Sequence, residues 1–243
     1  MRGRRGVVIG MASGATALLT WATLPASAGI PATLRTEYTF DTISNGVVDD
    51  TTGRGHSLTL TGSYSAVDGP SSPAVGFAPI SRASTPHKTD LNPVGREFAV
   101  TVTFRITGDT SGLTDTPNMA QKGFFGDVGQ WKMQLKPDVA AVQCRFKGTT
   151  AARLLTSSVT GVDDGQWHTA TCWRAAGQLG VTVDGTDTTS SAWVGDIANT
   201  RPMLIGAKSL KSSSDQFTGE IDYVGVATGD GADEVSRRGV PVP

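Results

Sequence analysis

The chain has few charged and few aromatic side chains. Of its 243 residues, 18% are charged and 7% are aromatic, with 8 Phe, 5 Trp and 3 Tyr. The hydrophobic content is an ordinary 38%. This composition, without a collagen-like or heptad repeat, excludes a disordered polymer, a collagen and a coiled coil. The length fits one domain of moderate size.

A single long apolar run occurs, at the amino terminus. Arg2, Arg4 and Arg5 precede an uncharged stretch over residues 7–24, and a small-residue cleavage signal follows at residues 26–28. This order predicts a signal peptide over residues 1–28. A membrane anchor is the alternative, because the run approaches the ~20 residues of a bilayer crossing. We expect a secreted, extracellular protein that has no membrane association after cleavage.

Charge and histidine content narrow the function classes. Removal of the three arginines changes the formal net charge from −1 to −4, because every Asp and Glu lies after residue 28. Such a chain has no general attraction to phosphate backbones, so we expect no nucleic-acid partner. His56, His87 and His168 lack metal-ligand spacing, and there is no Gly-x-Ser-x-Gly nucleophile motif.

The two cysteines, Cys144 and Cys172, form an even pair in a chain with an export signal. In an oxidising compartment this pattern predicts one disulfide. Two separately buried thiols are the alternative. A zinc site would need more ligands than two thiols supply.

Alternation of apolar and polar residues predicts β-strands through most of the mature chain. Clear examples are Phe98–Ile106, Trp131–Lys136 and Leu179–Val183, which ends at an Asp-Gly turn. Shorter runs lie at residues 57–60, 139–146, 168–174, 203–205 and 220–226. The proline-containing stretch 66–93 is predicted to be loop and extended edge. Many short strands with turn signals indicate an all-β, two-sheet antiparallel β-sandwich or jelly roll.

Four blocks of sequence resemble the laminin G-like domains of bacterial secreted proteins, within the concanavalin A-like lectin and glucanase superfamily. The blocks are YTFDTISNGVVDDTTGRGHSLTLTG (38–62), QKGFFGDVGQWKMQL (121–135), DDGQWHTATCWRAAGQLGVTVDG (163–185) and RPMLIGAKSLKSSSDQFTGEIDYVGV (201–226). The resemblance implies two curved antiparallel sheets packed face to face, with the termini close together. It gives a laminin G-like domain over residues 29–227 and a C-terminal tail over 228–243.

Strand parity predicts which side chains face the core of this sandwich. Leu179, Val181 and Val183 share one face, and Phe217 and Ile221 can share a face of the closing strand. Trp167 is predicted to fill the core, because buried aromatic residues dominate sandwich cores. His168 is predicted to be a hydrogen-bonding residue at a strand end.

The disulfide makes a sharper prediction about neighbouring strands. If Cys144 and Cys172 are bonded, their strands are expected to be neighbours with both cysteines on one face, since the Cβ atoms must approach within ~4.5 Å. Val142 and Ala170 would share that face. The opposite face would then carry the candidate ligand-binding residues, which are Trp173, Arg145, Gln143, Thr171, Lys132, Gln134 and Thr182.

A large aromatic ring among hydrogen-bonding side chains on an open sheet is typical of sugar recognition. The ring stacks on an apolar sugar face, while amide and guanidinium groups bond the hydroxyls. The alternatives are that loops cover this face or that Trp173 packs against Arg145.

An enzymatic interpretation centres on Glu220 and Asp222. In laminarinase-type hydrolases of the same superfamily, a strand carries Glu-x-Asp-x-x-Glu, and here Gly225 occupies the third acidic position. Retaining hydrolysis needs two carboxyl groups ~5 to 5.5 Å apart. We therefore expect no catalytic residues, and a glycoside hydrolase remains an alternative.

A structural calcium ion is a further expectation from the relatives. Ca²⁺ takes ~6 to 8 oxygen ligands, and Asp41, Asp49, Asp50 and Asp222 would supply carboxylates if the first and last strands are adjacent. The alternative is that these acids cap turns.

The sequence thus predicts a secreted, disulfide-linked, non-catalytic binding module. Carbohydrate is the expected partner, and an extracellular protein, bound by an adhesion module, is the alternative. Fold alone does not fix this choice.

Overall fold

The computed structural model describes residues 33–70, 72–108, 110–209 and 214–229. The predicted signal peptide and residues 230–243 of the predicted tail lie outside these ranges. Within them, regular structure is almost entirely β-strand, with short 3₁₀ helices at Thr89–Leu91 and Pro137–Val139. No helix in the described part of the chain has the length and hydrophobicity needed to cross a membrane.

Sixteen strands follow one another along the described residues. They are β1 (Thr33–Tyr38), β2 (Val47–Val48), β3 (Leu58–Thr61), β4 (Tyr64–Asp68), β5 (Pro73–Phe77), β6 (Arg82–Thr85), β7 (Phe98–Thr107), β8 (Asn118–Lys122), β9 (Gln130–Lys136), β10 (Ala141–Lys147), β11 (Ala152–Thr156), β12 (Asp164–Ala175), β13 (Gln178–Val183), β14 (Thr186–Ser191), β15 (Met203–Ile205) and β16 (Gly219–Thr228).

These strands form two antiparallel sheets that pack as a sandwich, as the alternation predicts. Sheet I has the order β14-β13-β12-β7-β16-β5-β4, and β1 also pairs with β16. Sheet II has the order β11-β10-β9-β8-β15-β6-β3-β2. On one side, β16 pairs first with β5 and then with β1, where Val224 is opposite Tyr38. The first and last described strands are therefore adjacent, as the resemblance implies.

The core lies between the sheets and contains most of the residues that parity assigns to it. Leu179, Val181 and Val183 are fully buried there, and so are Phe217 and Ile221. Asp184 and Gly185 both have positive φ, 47° and 81°, which confirms the tight turn after β13.

Trp167 does not fill the core. It shares the parity of Trp173 and not of Cys172, so it points outward from sheet I, where its ring lies 4.9 Å from the guanidinium carbon of Arg105. The prediction was wrong because it weighed ring size above parity. His168, in contrast, hydrogen-bonds as predicted, to Asp184 and Asp164.

The stretch 66–93 is more regular than its prolines indicate. It contains the end of β4 and all of β5 and β6. Pro73 is the first residue of β5 and Pro86 directly follows β6, two positions where a missing N–H leaves the sheet ladder intact. Proline therefore marks strand boundaries in this stretch and not a long loop.

The predicted disulfide between Cys144 and Cys172 is present, with a Cα–Cα distance of 5.5 Å. Its strands are not neighbours, however. Cys144 is on β10 in sheet II, Cys172 is on β12 in sheet I, and the bond crosses the core between them. The prediction failed because strands of two facing sheets also satisfy the distance limit where the sheets converge. They converge at this end, where Ser158 after β11 donates its N–H to Thr188 of β14.

Candidate functional site

The crossing disulfide divides the seven candidate binding residues between two opposite surfaces. Both cysteines point inward from different sheets, so the residues beside them point outward on different sides of the sandwich. Lys132, Gln134, Gln143 and Arg145 lie on the outer face of sheet II, whereas Thr171, Trp173 and Thr182 lie on the outer face of sheet I. The prediction that all seven share one face is therefore wrong.

The sheet I group is packed and not open. Trp173 is only 2% exposed and forms a small apolar cluster with Ala99 and Ala175. Its Nε1 donates to Thr182 Oγ1 at 2.9 Å, and Thr171 Oγ1 lies 3.0 Å from Thr101 Oγ1. The indole therefore lacks the free ring face that sugar stacking requires, and its role in this structure is packing.

Three residues of the sheet II group, Lys132, Gln134 and Arg145, line a groove, and Gln143 lies beside it. The cavity has a volume of about 670 Å³. Its lining includes polar residues of β8, β9 and β10, the segment 124–126, and the residues 208, 209, 214 and 215. The full lining is Thr116, Gln121, Phe124, Phe125, Gly126, Gln130, Lys132, Gln134, Arg145, Leu154, Lys208, Ser209, Ser214 and Asp215. We refer to it below as the sheet II groove.

The amide side chain of Gln134, at the groove floor, is held by a chain of hydrogen bonds to the neighbouring strands. Gln134 and Gln143 are opposite each other on β9 and β10, and Gln134 Nε2 donates to Gln143 Oε1 at 2.8 Å. Gln143 Nε2 in turn donates to Thr156 Oγ1 of β11 at 2.9 Å. A connected chain of this kind fixes each amide orientation. The floor is therefore a preformed hydrogen-bonding surface.

An aromatic side chain stands at the edge of this floor. Phe125 is 74% exposed, and the guanidinium carbon of Arg145 lies 4.2 Å from its ring centroid. Arg145 also donates to Gln130 Oε1, and Gln130 Nε2 donates to the Gly123 carbonyl at 2.9 Å. The cation–π contact orients the ring. The groove thus combines an accessible ring with fixed amide and guanidinium groups.

The charges of the groove are unbalanced. Asp215 Oδ2 lies 3.8 Å from Lys132 Nζ and 3.2 Å from Lys208 Nζ, so two ammonium groups share one carboxylate. Burial lowers the pKa of Lys132 to about 8, and Asp215 opposes this shift only in part. Burial also lowers the pKa of Arg145. Lys132 and Arg145 are therefore partly desolvated cations, and such cations are stabilised by an anion nearby.

Sequence reasoning missed several groove residues. Gln130 has the same parity as Lys132, so extending the predicted strand by one residue would have found it. Phe125 lies in the glycine-bounded segment 123–129, which has no alternation. Its only signal is two adjacent aromatic residues in a chain with few of them. Asp215 and Lys208 come to the groove through a connection that periodicity does not describe.

The acids of the hydrolase alternative lie away from this groove. Glu220 is on β16 of sheet I and forms an ion pair with Arg105. Asp222 lies at a register shift on the same strand, between Ile221 and Tyr223. Among the described residues that line the sheet II groove, Asp215 is the one carboxylate. The two-carboxylate arrangement of retaining hydrolysis is not formed by that lining.

The four candidate calcium ligands do not converge. Asp50 caps its own turn, accepting the N–H groups of Glu37 and Thr52 at 3.1 Å. Asp49 accepts from Ser57 Oγ at 3.5 Å. No group of three or more His, Cys, Asp or Glu side chains within the described ranges is arranged to hold a metal ion. Calcium binding as such stays a prediction.

Asp41 and Asp222 are the two candidate ligands whose charges interact. Asp222 Oδ1 is buried without a hydrogen-bond partner. Burial, together with the Asp41 charge, raises the pKa of Asp222 to about 6. The Gly69 turn also lies close to this oxygen, since a Cβ placed on Gly69 would approach it to 2.3 Å. An unpartnered carboxylate oxygen beside a second carboxylate suits a hard cation such as Ca²⁺.

The fold and the sequence define the family. A family model described as the concanavalin A-like lectin/glucanases superfamily, of laminin G type, matches residues 81–229, which is more than half of the chain. The protein therefore belongs to this superfamily. A search of curated proteins gave no match.

Solved structures with this fold include binding domains and parts of enzymes. Domain 4 of AbnA, an extracellular arabinanase from Geobacillus stearothermophilus solved with arabinotriose, has a TM-score of 0.62 at 18% identity and is matched over 81% of this chain and 92% of its own. The binding domain of Paraclostridial Mosquitocidal Protein 1 has a TM-score of 0.59 at 14% identity, over 81% of this chain and 48% of its own.

A third similar structure is the Trypanosoma rangeli sialidase in complex with sialic acid. Its TM-score is 0.54 at 16% identity, over 85% of this chain and 31% of the sialidase. This chain thus spans nearly all of the arabinanase domain, about half of the toxin binding domain and about a third of the sialidase. At these identities the likeness establishes the fold, which binding modules and hydrolases share.

Proposed function

We propose that this protein is a secreted, non-catalytic module that binds carbohydrate in the sheet II groove. One observation carries the proposal: an exposed aromatic ring, Phe125, borders a floor of hydrogen-bonding side chains fixed by Gln134, Gln143 and Arg145. Sugar ligands offer an apolar ring face and several hydroxyls, and they need both kinds of contact.

The size and chemistry of the groove support this assignment. A volume of about 670 Å³ is within the usual range of ligand sites, and the polar side chains Gln130, Lys132, Gln134 and Arg145 stand on regular strands, which hold side chains precisely. The arabinanase domain, similar over most of both chains, was solved with arabinotriose. The buried disulfide is consistent with a secreted protein.

The test is a glycan array followed by affinity measurements on the mature protein. We expect Phe125→Ala to weaken glycan binding about tenfold, since stacking of a ring contributes up to ~1.5 kcal/mol. Ile80→Ala is the matched control, because Ile80 is 63% exposed but lies outside the groove. The control should bind like the wild type.

Two outcomes would favour the other functions. Silence across the array together with capture of an extracellular protein would indicate an adhesion module. Release of sugar from a β-glucan that is lost in Glu220→Gln would indicate a hydrolase, with its site on sheet I and not in the sheet II groove.

A further inference from the structure

The sheet II groove brings like charges together on neighbouring strands. Lys132 on β9 and Arg145 on β10 are directly opposite in the antiparallel register, and both side chains point to the outer face. Like charges opposite each other on one face destabilise a sheet unless something offsets them. An exposed pair would be screened by water, but Lys132 is only 9% exposed.

The described residues offset these charges incompletely. Lys208 reaches Asp215 Oδ2 more closely than Lys132 does, at 3.2 Å against 3.8 Å. Arg145 has no carboxylate within ion-pair distance among the described residues. Its contacts are the Gln130 amide and the Phe125 ring. Three cations and one carboxylate thus line the groove, in a chain whose formal net charge is −1.

We infer that the ligand of this groove is an acidic glycan, whose carboxylate or sulfate group binds between Lys132 and Arg145. This inference rests on the proposed function and specifies its substrate class. A neutral sugar would leave Arg145 without an anionic partner and Lys132 with only the carboxylate it shares with Lys208, whereas an anionic group would accept charge-assisted hydrogen bonds from both. Phe125 would meanwhile contact the apolar face of the same or the next sugar unit.

The decisive comparison uses polymers that share a backbone and differ in charge. Affinity electrophoresis or calorimetry would compare polygalacturonate with its methyl ester, and dextran with carboxymethyl dextran and dextran sulfate. We expect at least tenfold tighter binding to the acidic member of the pair whose backbone is bound. The carboxylated and sulfated dextrans show which anionic group is preferred.

Variants assign the effect to the groove. Lys132→Met and Arg145→Gln should each reduce affinity for the acidic polymer about tenfold. Asp215→Asn removes the competing carboxylate and should increase that affinity several-fold. Lys136→Met is the matched control: Lys136 lies on the same strand and pairs with Asp138, outside the groove. It should bind like the wild type, and circular dichroism should show that each variant is folded.

The possible failures are distinguishable. Equal binding of neutral and acidic polymers, with Phe125→Ala still impaired, would overturn the acidic ligand and leave the proposed function intact. Absence of binding to any glycan would overturn both. An equal loss in Lys136→Met and Lys132→Met, with no gain in Asp215→Asn, would reveal nonspecific polyanion attraction and overturn the assigned site.

Discussion

The indole of Trp173 lies on Gly180, its partner across the β12–β13 pair. A Cβ atom placed on Gly180 would be 2.1 Å from Trp173 Cε2, so only glycine leaves room for the ring. The ring is covered on the outer face of sheet I, where it packs with Ala99 and Ala175. The most conspicuous sugar-stacking candidate of the sequence is therefore a packing residue, and the ring exposed at the sheet II groove is Phe125.

Gly180→Ala should destabilise the fold by about 2 kcal/mol, because the added methyl group displaces a packed ring. Urea denaturation followed by tryptophan fluorescence measures this change. Gly112→Ala serves as the control, since a Cβ placed on Gly112 would have no heavy atom within 4 Å and its φ is not positive. A stability equal to that of the wild type in Gly180→Ala would contradict the packing assigned to Trp173.

Removal of the inter-sheet disulfide should cost about 3 kcal/mol of stability, the usual range for a loop of this size, here a sequence separation of 28. The double variant Cys144→Ala/Cys172→Ala tests this in urea.

The two cysteine residues are buried, with exposures of 0% and 1%, so we expect no reaction with a thiol reagent after mild reduction of the folded protein. Rapid labelling under native conditions would contradict the buried crossing.

Binding of an acidic glycan should weaken as the pH rises above about 8. Burial lowers the pKa of Lys132 to about 8, against the influence of Asp215 and with added repulsion from Lys208 and Arg145. An anion binds the protonated amine, so its affinity falls once the amine is neutral. Titration calorimetry between about pH 7 and pH 9.5 measures this loss. Lys132→Arg keeps its charge throughout and should abolish the dependence; a persistent dependence would implicate another group.

His168 should make the fold more stable at mildly acidic pH. Burial alone would lower its pKa, but hydrogen bonds to Asp184 and Asp164, at 2.7 and 3.0 Å, raise it above the usual 6.5. The folded state therefore binds the proton more strongly than the unfolded state does. This stabilisation is complete below pH 6.5 and is lost as the pH rises through the folded pKa.

His168→Gln tests the contribution of this imidazolium, which we expect to be about 1 kcal/mol. Urea denaturation would compare wild type and variant at about pH 5.5 and about pH 8.5. The variant should be less stable than the wild type at the lower pH and nearly equal to it at the higher pH. The His168 ring also packs 5.9 Å from the ring of Phe104, so the same difference in stability at both pH values would indicate lost packing instead of lost charge.

Asp222 has the opposite pH effect from most carboxyl groups. Its folded pKa of about 6 exceeds the ordinary value of 3.8. The contribution of Asp222 to the free energy of unfolding is therefore most favourable below pH 3.8 and is lost as the pH rises through 6. With a chelator present, Asp222→Asn should therefore be more stable than the wild type at neutral pH, by about 1 kcal/mol after allowance for solvent screening.

Calcium reverses this order if it binds at Asp41 and Asp222. Millimolar Ca²⁺ should then raise the Tm of the wild type and leave that of Asp222→Asn unchanged, as thermal denaturation would show. An unchanged Tm in the wild type would exclude a calcium site at these two carboxylates.

Local sequence patterns predicted the strands reliably where apolar and polar residues alternate along the chain. The prediction for Phe98–Ile106 differs from β7 by one residue, and the Asp-Gly turn after β13 was found from two residues. Alternation was less informative at Ala140, whose left-handed φ of 44° separates a 3₁₀ turn from β10. The parity of β12 alone would have placed Trp167 outside, but the prediction followed the size of the ring and was wrong.

The groove could be predicted only in part. Lys132, Gln134 and Arg145 were found because β9 and β10 alternate and carry them on the outward face of each strand. Their grouping with Thr171, Trp173 and Thr182 was wrong. Alternation predicts which side chains face the core and which face outward, but it does not predict which of the two sheets a strand belongs to. Phe125 and Asp215 lie on connections, whose paths depend on contacts with distant residues.

The sequence by itself determined that this is a β-sandwich with one disulfide, because strand alternation, turn residues and cysteine number are local properties. Only the tertiary structure decided that the disulfide crosses between the sheets. Because the two cysteines point inward from different sheets, Trp173 lies on a covered outer surface of sheet I. Lys132, Arg145 and Phe125 lie together in the groove on the outer face of sheet II. The pairing of distant strands sets these positions, through packing that no local pattern encodes.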